Sequence, residues 1–420
     1  MGSKKKSKPS RSRKKAKTSA DQALALDYVR AWAQPAPPPA SDSDADGFLP
    51  AQAARGGGGE VLFELHSHSN HSDGFLSPSA LVERAHRNGV KVLALTDHDT
   101  MAGIPEAVSA ASRFGMRIIP GVEISARYSP REVATAGENV HVLAYYGMCG
   151  PSRIDELDTM LLNIRDGRYL RAKSMLAKLN MLKVPIKWEH VTKIAGEGVA
   201  PGRLHVARAM VEAGHVENVR QAFNKYIGDD CPAYARGSEP FAETVVQLIS
   251  RTGGISVLAH PWALKNPIAI IKALKVAGLN GMEVYRSDGK LDGFCELAEK
   301  YELLKLGGSD FHGRGGKDES DIGTVKLAIT TLSCFLKMAR PIWSCAMKDI
   351  LLKFAEEPSA SNLGKLVKFG RVTNFDGYSP TSTVIDAIDV CLSSWLSNDD
   401  IEDAELEELR LKLACYATKK

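Results

Sequence analysis

The sequence predicts an α/β fold in which strands and helices alternate around a closed, parallel barrel. From Glu60 onward, short β-type runs are separated by helix-type segments, and this alternation is typical of parallel sheets. Seven such runs can be counted, which favours a closed barrel over an open, doubly wound sheet. No G-x-G-x-x-G motif follows the first run, which argues against a dinucleotide-binding fold.

The predicted strands are short apolar runs, at residues 61–65, 90–96, 117–123, 140–146, 254–259, 281–285 and 305–308. A helix is predicted at 77–88, because Ser77 can cap its N-terminus and Pro78 suits the first helical position. Gly89 follows the far end of this segment. Helices of this kind between the runs give the strand–helix alternation of the barrel.

The composition is that of an ordinary globular protein. Of the 420 residues, 44% are hydrophobic and 25% are charged, which is enough for a large core with appendages. No apolar run approaches the roughly 20 residues of a membrane span, and no secretory signal is recognisable. Seven cysteines without a C-x-x-C pair do not suggest a disulfide framework and suit a reducing compartment. We therefore expect a soluble chain with no membrane partner.

The positive charge is concentrated at the N-terminus. The net charge is +4, but residues 1–20 contain nine Lys or Arg and no acid, so the remaining residues together carry −5. Residues 1–58 are predicted to be a disordered basic leader with one short helix near 21–33. The basic run fits a nuclear localisation signal, a nucleic-acid contact or a solvated tail. A cytoplasmic or nuclear location is expected, and import into an organelle stays open.

Metal-type side chains follow the ends of most predicted strands. His66 and His68 point to the same side of the first strand, because side chains alternate along an extended chain. Since the carboxyl ends of parallel barrel strands meet at one face, ligands from six strands would converge there. His86, His190 and His215 lie outside this pattern and are assigned no chemistry. The predicted ligands are His66, His68, Asp73, His98, Glu123, His141, His260, Asp310 and His312.

This ligand set predicts a site with more than one metal ion. Imidazole and carboxylate ligands without thiolates suit Zn, Mn or Fe. Nine ligands exceed the need of one ion, so two or three divalent ions could share them, with Glu123 as a bridge. Adjacent ions of this kind acidify a bridging water to a hydroxide and clamp the charge that develops on a phosphoryl group.

The ordered motifs resemble those of the PHP family, the polymerase and histidinol phosphatase superfamily of metal-dependent phosphoesterases. They are H-x-H, S-D-G, T-D-H-D, G-V-E, A-H-P and G-S-D-F-H-G, within residues 60–323. The chain looks most similar to the branch of nucleoside 3',5'-bisphosphate phosphatases that also act as 5'-to-3' exonucleases on short RNA. The stretches R-L-H at 203–205, A-F-N-K-Y-I-G at 222–228 and C-P-A-Y at 231–234 carry this closer resemblance.

The resemblance implies a distorted (β/α)7 barrel and a trinuclear centre, with manganese as the expected metal and zinc or iron as alternatives. It implies one ion on His66, His68, Glu123 and Asp310, a second on Glu123, His141 and His260, and a third on Asp73, His98 and His312. Asp97 would orient a ligand from outside the coordination sphere and is also a candidate leaving-group acid. The segment between Glu123 and His141 is longer than this branch leads us to expect, which suggests a loop insertion.

Residues 148–250 are predicted to be a helical cap inserted into a barrel that spans 59–325. Arg203, His205 and Lys225 lie in this insertion, and each is a candidate ligand for substrate phosphate. A second basic run could line a groove for a nucleic-acid backbone or form a solvated helix face. It consists of Arg165, Arg168, Arg171 and Lys173.

Residues 326–420 are predicted to be a helical C-terminal extension. Segment 332–355 suggests one buried helix or a helix pair broken at Pro341, and further helices are predicted at 383–396 and 402–413.

The expected function is hydrolysis of nucleotide phosphoesters by a metal-bridging hydroxide. The substrates would be 3',5'-bisphosphonucleotides, short oligoribonucleotides trimmed from the 5' end, or both. One alternative is a phosphatase of a small metabolite such as histidinol phosphate. Another is a nucleic-acid-binding protein that uses the basic leader, with the barrel as a scaffold.

Overall fold

A computed structural model describes residues 19–33, 61–129, 137–290, 293–315, 319–357, 359–369 and 408. Seven strands form one sheet in this part of the chain, as the sequence predicts. The strands are β1 (Leu62–Glu64), β2 (Val90–Leu95), β3 (Arg117–Tyr128), β4 (Glu138–Tyr145), β5 (Ile255–Leu258), β6 (Gly281–Tyr285) and β7 (Leu304–Gly307).

The strands follow one another across the sheet in chain order, and all are parallel except β4. β4 runs antiparallel to both β3 and β5, so the prediction of an entirely parallel sheet was wrong at this strand. The physical reason is the length of the connection between Tyr128 and Glu138, because a parallel crossover needs about a dozen residues or more. β3 and β4 instead form a long hairpin, with Ser125 opposite His141. Residues 124–128 and 138–140 of the predicted loop insertion are therefore strand, and 130–136 lie outside the described residues.

The first and last strands are linked by side-chain and bridge contacts. Within the described residues, a single parallel bridge joins Ser67 to Phe311, and β1 has no ladder with β7. The Glu64 carboxylate completes the link: it accepts backbone hydrogen bonds from Ser309 (2.9 Å) and Gly323 (2.8 Å). A buried charged side chain thus joins the two edges of the sheet, where a closed barrel would have a strand pair.

Helices surround the sheet. Ser77 caps α2 as predicted, accepting a hydrogen bond from the Ala80 amide at 3.2 Å. No described helix has both the length and the apolar character that crossing a membrane requires. The helices are α1 (Ala20–Ala33), α2 (Pro78–Arg87), α3 (Ile104–Arg113), α4 (Ile154–Met181), α5 (Trp188–Ala195), α6 (Arg203–Glu212), α7 (Val219–Ala222), α8 (Ala242–Arg251), α9 (Pro267–Ala277), α10 (Phe294–Lys300), α11 (Ile329–Glu356) and α12 (Ala360–Val367).

The hydrophobic side chains form two cores. The larger core contains the sheet and the helices around it, and the smaller one contains α5, α6 and the segment up to Ala235. Helix α4 contributes to both, with Leu157 in the larger core and Leu179 in the smaller. Helix α8 packs on β3, β4 and β5, so the last part of the predicted insertion lies against the sheet. We call this second core, with the helices that form it, the cap.

Helix α11 of the extension and one part of the leader pack against the sheet and its helices. α11 is a single helix that continues through Pro341, so a break at this residue did not occur. The indole of Trp343 holds the helix in place by donating to the Tyr145 carbonyl at 3.0 Å. The short helix predicted near 21–33 in the leader is α1; its Trp32 side chain is 5% exposed, and the centres of the Trp32 and Trp343 rings are 6.3 Å apart. The rest of the leader and the predicted helices at 383–396 and 402–413 lie outside the described residues.

Candidate metal centre

The structure brings all nine predicted metal ligands to one edge of the sheet. Segments after β1, β2, β5 and β7 supply most of them, as the sequence predicts. Glu123 lies inside β3, which continues for five residues beyond it. His141 lies near the start of β4 and reaches the same edge because this strand is antiparallel. The sequence prediction placed His141 within the fourth strand, near its start, and the reversal of β4 explains why its side chain reaches the other ligands.

Glu123 occupies the middle of the cluster. Its carboxylate is 1% exposed and lies within 3.3 Å of a nitrogen from each of five imidazoles. Oε2 faces His66, His68 and His98, and Oε1 faces His141 and His260. A carboxylate with one oxygen turned to each of two groups of rings is suited to bridge two cations.

Three groups of side chains have ligand atoms within 4.8 Å of one another. The first coincides with the set implied for one ion. The second observed group contains the set implied for the third ion together with His68. The third observed group contains His98, whereas the resemblance implied His260 for the second ion, although His260 Nε2 lies 3.0 Å from Glu123 Oε1. The groups are His66, His68, Glu123 and Asp310; His68, Asp73, His98 and His312; and His98, Glu123 and His141.

Several buried polar atoms of these residues have no hydrogen-bond partner among the described residues, as expected for atoms that bind cations. His68 Nε2 lies 3.2 Å from both Glu123 Oε2 and Asp310 Oδ1, yet it forms no hydrogen bond of acceptable geometry with the described residues. His98 Nδ1 and Asp73 Oδ1 are buried and unpaired in the same sense. Buried polar atoms normally have partners, and neutral imidazole and carboxylate are ordinary ligands of divalent metals. The residues therefore fit a divalent metal centre.

The charges in the cluster are strongly coupled. Burial opposes ionisation of Glu123, but the neighbouring His98, His141 and His66 rings outweigh it and hold the pKa of this carboxyl well below its usual value. Burial likewise opposes the charged ring of His68, but Asp310 and Glu123 raise the pKa of this imidazole to about 10. The carboxylates are thus ionised at neutral pH, as metal ligands must be.

Three of the six described residues other than glycine that have positive φ angles lie in the same loops. Asp99, His260 and Asp310 adopt positive φ angles of 55°, 29° and 52°. Residues other than glycine seldom adopt such angles, and they persist where the surrounding structure fixes them, often at functional sites. All three lie in segments that follow parallel strands and carry predicted ligands.

A cavity of about 390 Å³ adjoins the cluster and extends under the cap. Asp73, His98 and His141 line its inner part. The outer walls are strongly basic, with five guanidinium groups from Arg168, Arg171, Arg203, Arg220 and Arg314. An anionic ligand of small-molecule size would fit such a cavity.

The three predicted phosphate ligands lie in different settings. Arg203 lines the cavity and donates to Asp229 Oδ1 at 2.6 Å. His205 is buried at 3% exposure and accepts from the Gly202 amide through Nδ1. Burial lowers the pKa of His205 to about 4, so the ring is neutral and poorly suited to bind phosphate as a cation. Lys225 is exposed on a π-helical turn and does not line the cavity.

Comparison with known proteins identifies the family. The PHP domain model matches residues 64–190. A 5'-3' exoribonuclease of Haemophilus influenzae is 33% identical over 261 residues, which cover 60% of this chain and 89% of that protein. A 3',5'-nucleoside bisphosphate phosphatase of Chromobacterium violaceum is 33% identical over 264 residues, covering 61% of this chain and 89% of that protein. The chain belongs to the PHP family.

A solved structure shares the PHP fold. It is the crystal structure of a protein assigned as a metal-dependent phosphoesterase from Bifidobacterium adolescentis. It aligns with a TM-score of 0.57 at 30% identity and covers 66% of this chain and 96% of that one.

Two buried glutamates contact ligand histidines of the PHP centre, and sequence analysis missed both. Glu283 Oε1 lies 3.1 Å from His66 Nδ1, and its Oε2 accepts from the His260 amide at 2.7 Å. Glu64 accepts from the His66 amide at 3.1 Å. The available signal was a single acid inside each of two otherwise apolar strands. Partners of this kind orient metal-binding histidines.

Asp97 holds a loop of the PHP centre in place. Its carboxylate is buried and accepts hydrogen bonds from the Ser69 amide (2.7 Å), the Ser69 hydroxyl (2.6 Å) and the Ser72 hydroxyl (2.6 Å). These serines lie between His68 and Asp73. The geometry therefore fits a positioning residue and does not favour the alternative role of leaving-group acid.

The arginines of α4 join the cap to the PHP centre. Arg168 Nη2 lies 2.6 Å from both Asp99 Oδ2 and Ser125 Oγ, and Arg165 donates to the Asp99 carbonyl at 2.6 Å. Arg171 pairs with Glu239 at 2.7 Å. The interpretation of the basic run as a solvated helix face was therefore wrong for its three arginines. Only Lys173, which lies over the Trp188 ring, is exposed.

Proposed function

We propose that this chain is a metal-dependent phosphoesterase that hydrolyses nucleotide phosphoesters. The observation that carries the proposal is the Glu123-centred ligand cluster beside a cavity walled by five arginines. A polynuclear cation site suits phosphoryl transfer, and an arginine-rich cavity suits a substrate with additional phosphate. The names of the two relatives agree with this substrate class.

One bond accounts for both relatives' activities. A bisphosphate phosphatase that removes the 3'-phosphate breaks the bond between phosphorus and the 3'-oxygen. An exonuclease that releases a 5'-mononucleotide from the 5' end of RNA breaks the same bond in a diester. We assign this bond to the present chain. Water oxygen joins phosphorus, the bond to the 3'-oxygen breaks, and the 3'-oxygen takes up a proton.

The metal ligands and the cavity residues would divide the work. His66, His68, Glu123 and Asp310 would hold one cation, with the remaining predicted ligands holding one or two more; we propose manganese. When bound, these cations would activate a water molecule and neutralise the charge that develops on the phosphoryl group. Arg203 and Arg168 would hold the 5'-phosphate, which aligns the scissile phosphate. Asp97 would keep the loop between His68 and Asp73 in position.

The test is hydrolysis by manganese-loaded protein of adenosine 3',5'-bisphosphate, a 5'-phosphorylated short RNA and histidinol phosphate. We expect turnover of the first two and little of the third. Asp310→Asn should lose both activity and bound metal. Asp321→Asn is the matched control, because Asp321 is similarly exposed and pairs with Arg84 on the surface. Preference for histidinol phosphate would favour a metabolite phosphatase. No turnover despite full metal loading would overturn the proposal.

The basic leader is proposed to direct the chain within the cell, in the cytoplasm or nucleus, and not to take part in turnover. Support comes from its charge alone, with nine Lys or Arg in residues 1–20. A chain that lacks residues 1–18 should keep the turnover of the full chain. A salt-dependent loss of RNA affinity in that chain would instead show a nucleic-acid contact.

A further inference from the structure

An exposed aromatic side chain lies beside the metal centre, outside the parts of the cavity described above. Phe75 is 44% exposed and comes two residues after Asp73. The guanidinium of Arg208, from cap helix α6, lies 4.4 Å from the centre of its ring. The pair sits where the barrel edge meets the cap.

Phe75 is held rigidly to the ligand loops. Its amide donates to the carbonyl of His312 at 2.7 Å, so its backbone is tied to a predicted metal ligand. The preceding Gly74 packs against the backbone of His68, where an added Cβ would lie 2.5 Å from the carbonyl oxygen. The position of the ring relative to the metal centre is therefore fixed by backbone contacts on both sides.

A second cation connects this ring to the cavity. Arg314 lines the cavity, and its Nη2 lies 3.9 Å from Asp73 Oδ2. The side chain of Arg314 is 44% exposed. Arg314 is two residues after His312, whose carbonyl accepts from the Phe75 amide, so Phe75 and Arg314 belong to adjacent backbone segments. An aromatic ring and two guanidinium groups thus lie beside the predicted metal ligands Asp73 and His312.

We propose that Phe75, Arg208 and Arg314 form a subsite for the nucleotide on the far side of the scissile phosphate. This inference rests on the proposed function. In a diester substrate, the terminal nucleoside and its 5'-phosphate occupy the arginine-walled cavity, and the next nucleotide must leave the centre by another route. Its base can stack on Phe75, and its phosphate can pair with Arg314. Stacking on aromatic side chains and arginine contacts to the backbone are how proteins hold single strands.

The test compares two substrates in each variant. Adenosine 3',5'-bisphosphate has no nucleotide beyond its 3'-phosphate, whereas a 5'-phosphorylated RNA of five nucleotides has four. For Phe75→Ala, the ratio of kcat/KM for RNA to kcat/KM for bisphosphate should fall about tenfold, as expected for one lost stacking contact. For Arg314→Gln, the same ratio should fall, and the salt dependence of RNA turnover should become shallower.

Phe241→Ala is the matched control. Phe241 is 45% exposed and lies under Arg127 at 4.5 Å, so it copies the exposure and arginine contact of Phe75 without the link to Asp73. The ratio should not change in this variant. An equal fall in both variants, or an equal loss on both substrates in Phe75→Ala, would overturn the subsite and leave Phe75 as a strut between cap and barrel.

Binding separates failure of the subsite from failure of the proposed function. The probe is a fluorescent, 5'-phosphorylated RNA with phosphorothioate linkages, titrated with manganese-loaded protein. Affinity should be about tenfold weaker for Phe75→Ala than for the unaltered chain, even if neither substrate is hydrolysed. Equal affinities would contradict the subsite. No turnover by the unaltered chain would contradict the proposed function alone.

Discussion

At the scale of single residues, the centre depends on carboxylates that contact the predicted ligand histidines without belonging to the candidate ligand groups themselves. Glu283 contacts the Nδ1 atom of His66 and the backbone of His260, and so fixes two rings that face Glu123. Its role differs from that of Glu123, since Glu283 belongs to none of the three candidate ligand groups.

We predict that Glu283→Gln keeps the fold but lowers metal affinity by about 10- to 100-fold, which is typical for a partner behind a ligand. The amide keeps the size of the side chain and removes the charge that orients His66. Competition with a fluorescent chelator measures this affinity. Glu302→Gln, at a turn on the opposite side of the sheet from the ligand loops, serves as the control. Unchanged affinity in Glu283→Gln would show that His66 is oriented without it.

His205 gives a prediction for the dependence of stability on pH. Its pKa is lowered to about 4 by burial, while an unfolded histidine has a pKa near 6.5. Because the folded value is depressed, the unfolded chain binds a proton first as the pH falls. His205 therefore contributes stability above pH 6.5 that is lost between pH 6.5 and 4, by about 3 kcal/mol at pH 4.

The measurement is urea unfolding at pH 7 and pH 4, in a chelator, for the unaltered chain and His205→Gln. Glutamine does not titrate and retains an acceptor for the Gly202 amide. The variant should lose less stability on acidification, by up to about 3 kcal/mol. Identical losses in both chains would contradict the assignment of a neutral, buried ring.

At the scale of secondary structure, the sequence of α1 did not predict that this helix packs into the main core. It lies within the leader, between the basic run and a segment rich in proline. In the structure, Val29 and Trp32 are buried in the main core. Arg117 at the start of β3 lies 4.7 Å from the centre of the Trp32 ring.

We predict that Trp32→Ala lowers the free energy of unfolding by about 3 kcal/mol, because a large buried ring leaves a cavity when it is truncated. Leu24→Ala in the same helix is the control, since Leu24 is 69% exposed, and it should change stability by less than about 0.5 kcal/mol. Thermal unfolding measures both. Equal, small effects would show that α1 is not part of the folded core.

Sequence patterns located the elements well and their directions less well. Strand positions follow from apolar runs, so both ends of six of the seven strands lie within two residues of the prediction, whereas β3 extends five residues further. The direction of β4 depends on whether 124–139 is a loop or strand, and alternating polarity around Arg127 and Tyr128 did not settle this. The sequence left open whether segment 332–355 is one helix or a pair broken at Pro341, and packing of residues such as Trp343 keeps α11 continuous.

The candidate metal ligands could be predicted from the sequence, but the residues that support them could not. Histidines and acids at strand ends are visible as motifs, so all nine candidate ligands could be named. The roles of residues with long-range contacts could not be predicted. Arg168 pairs with Asp99, which is 69 residues away, and Glu64 accepts from the Ser309 amide, which is 245 residues away. Only the fold brings them together.

At the scale of the whole molecule, the ligand loops tie distant parts of the chain into one unit. The first and last strands meet through Glu64, Ser67 and Phe311, and the cap meets the centre through Arg168. Cations held by loops from β1, β2, β3 and β7 would cross-link the sheet further.

Removal of metal should therefore lower the stability of the entire fold. Metal binds the folded chain in preference to the unfolded one, and at 100 times the dissociation constant one site adds about 2.7 kcal/mol. We predict a clear fall in Tm on addition of a chelator and recovery on addition of manganese. Asp310→Asn should respond less than Asp321→Asn. A Tm that is independent of metal would indicate that the loops form a rigid site without it.

The most direct test of the central claim is hydrolysis of adenosine 3',5'-bisphosphate in water enriched in oxygen-18. If the chain cleaves the bond between phosphorus and the 3'-oxygen, the products are unlabelled adenosine 5'-monophosphate and inorganic phosphate that carries one labelled oxygen. Release of adenosine 3'-monophosphate, or label in the nucleoside, would contradict this account of the site.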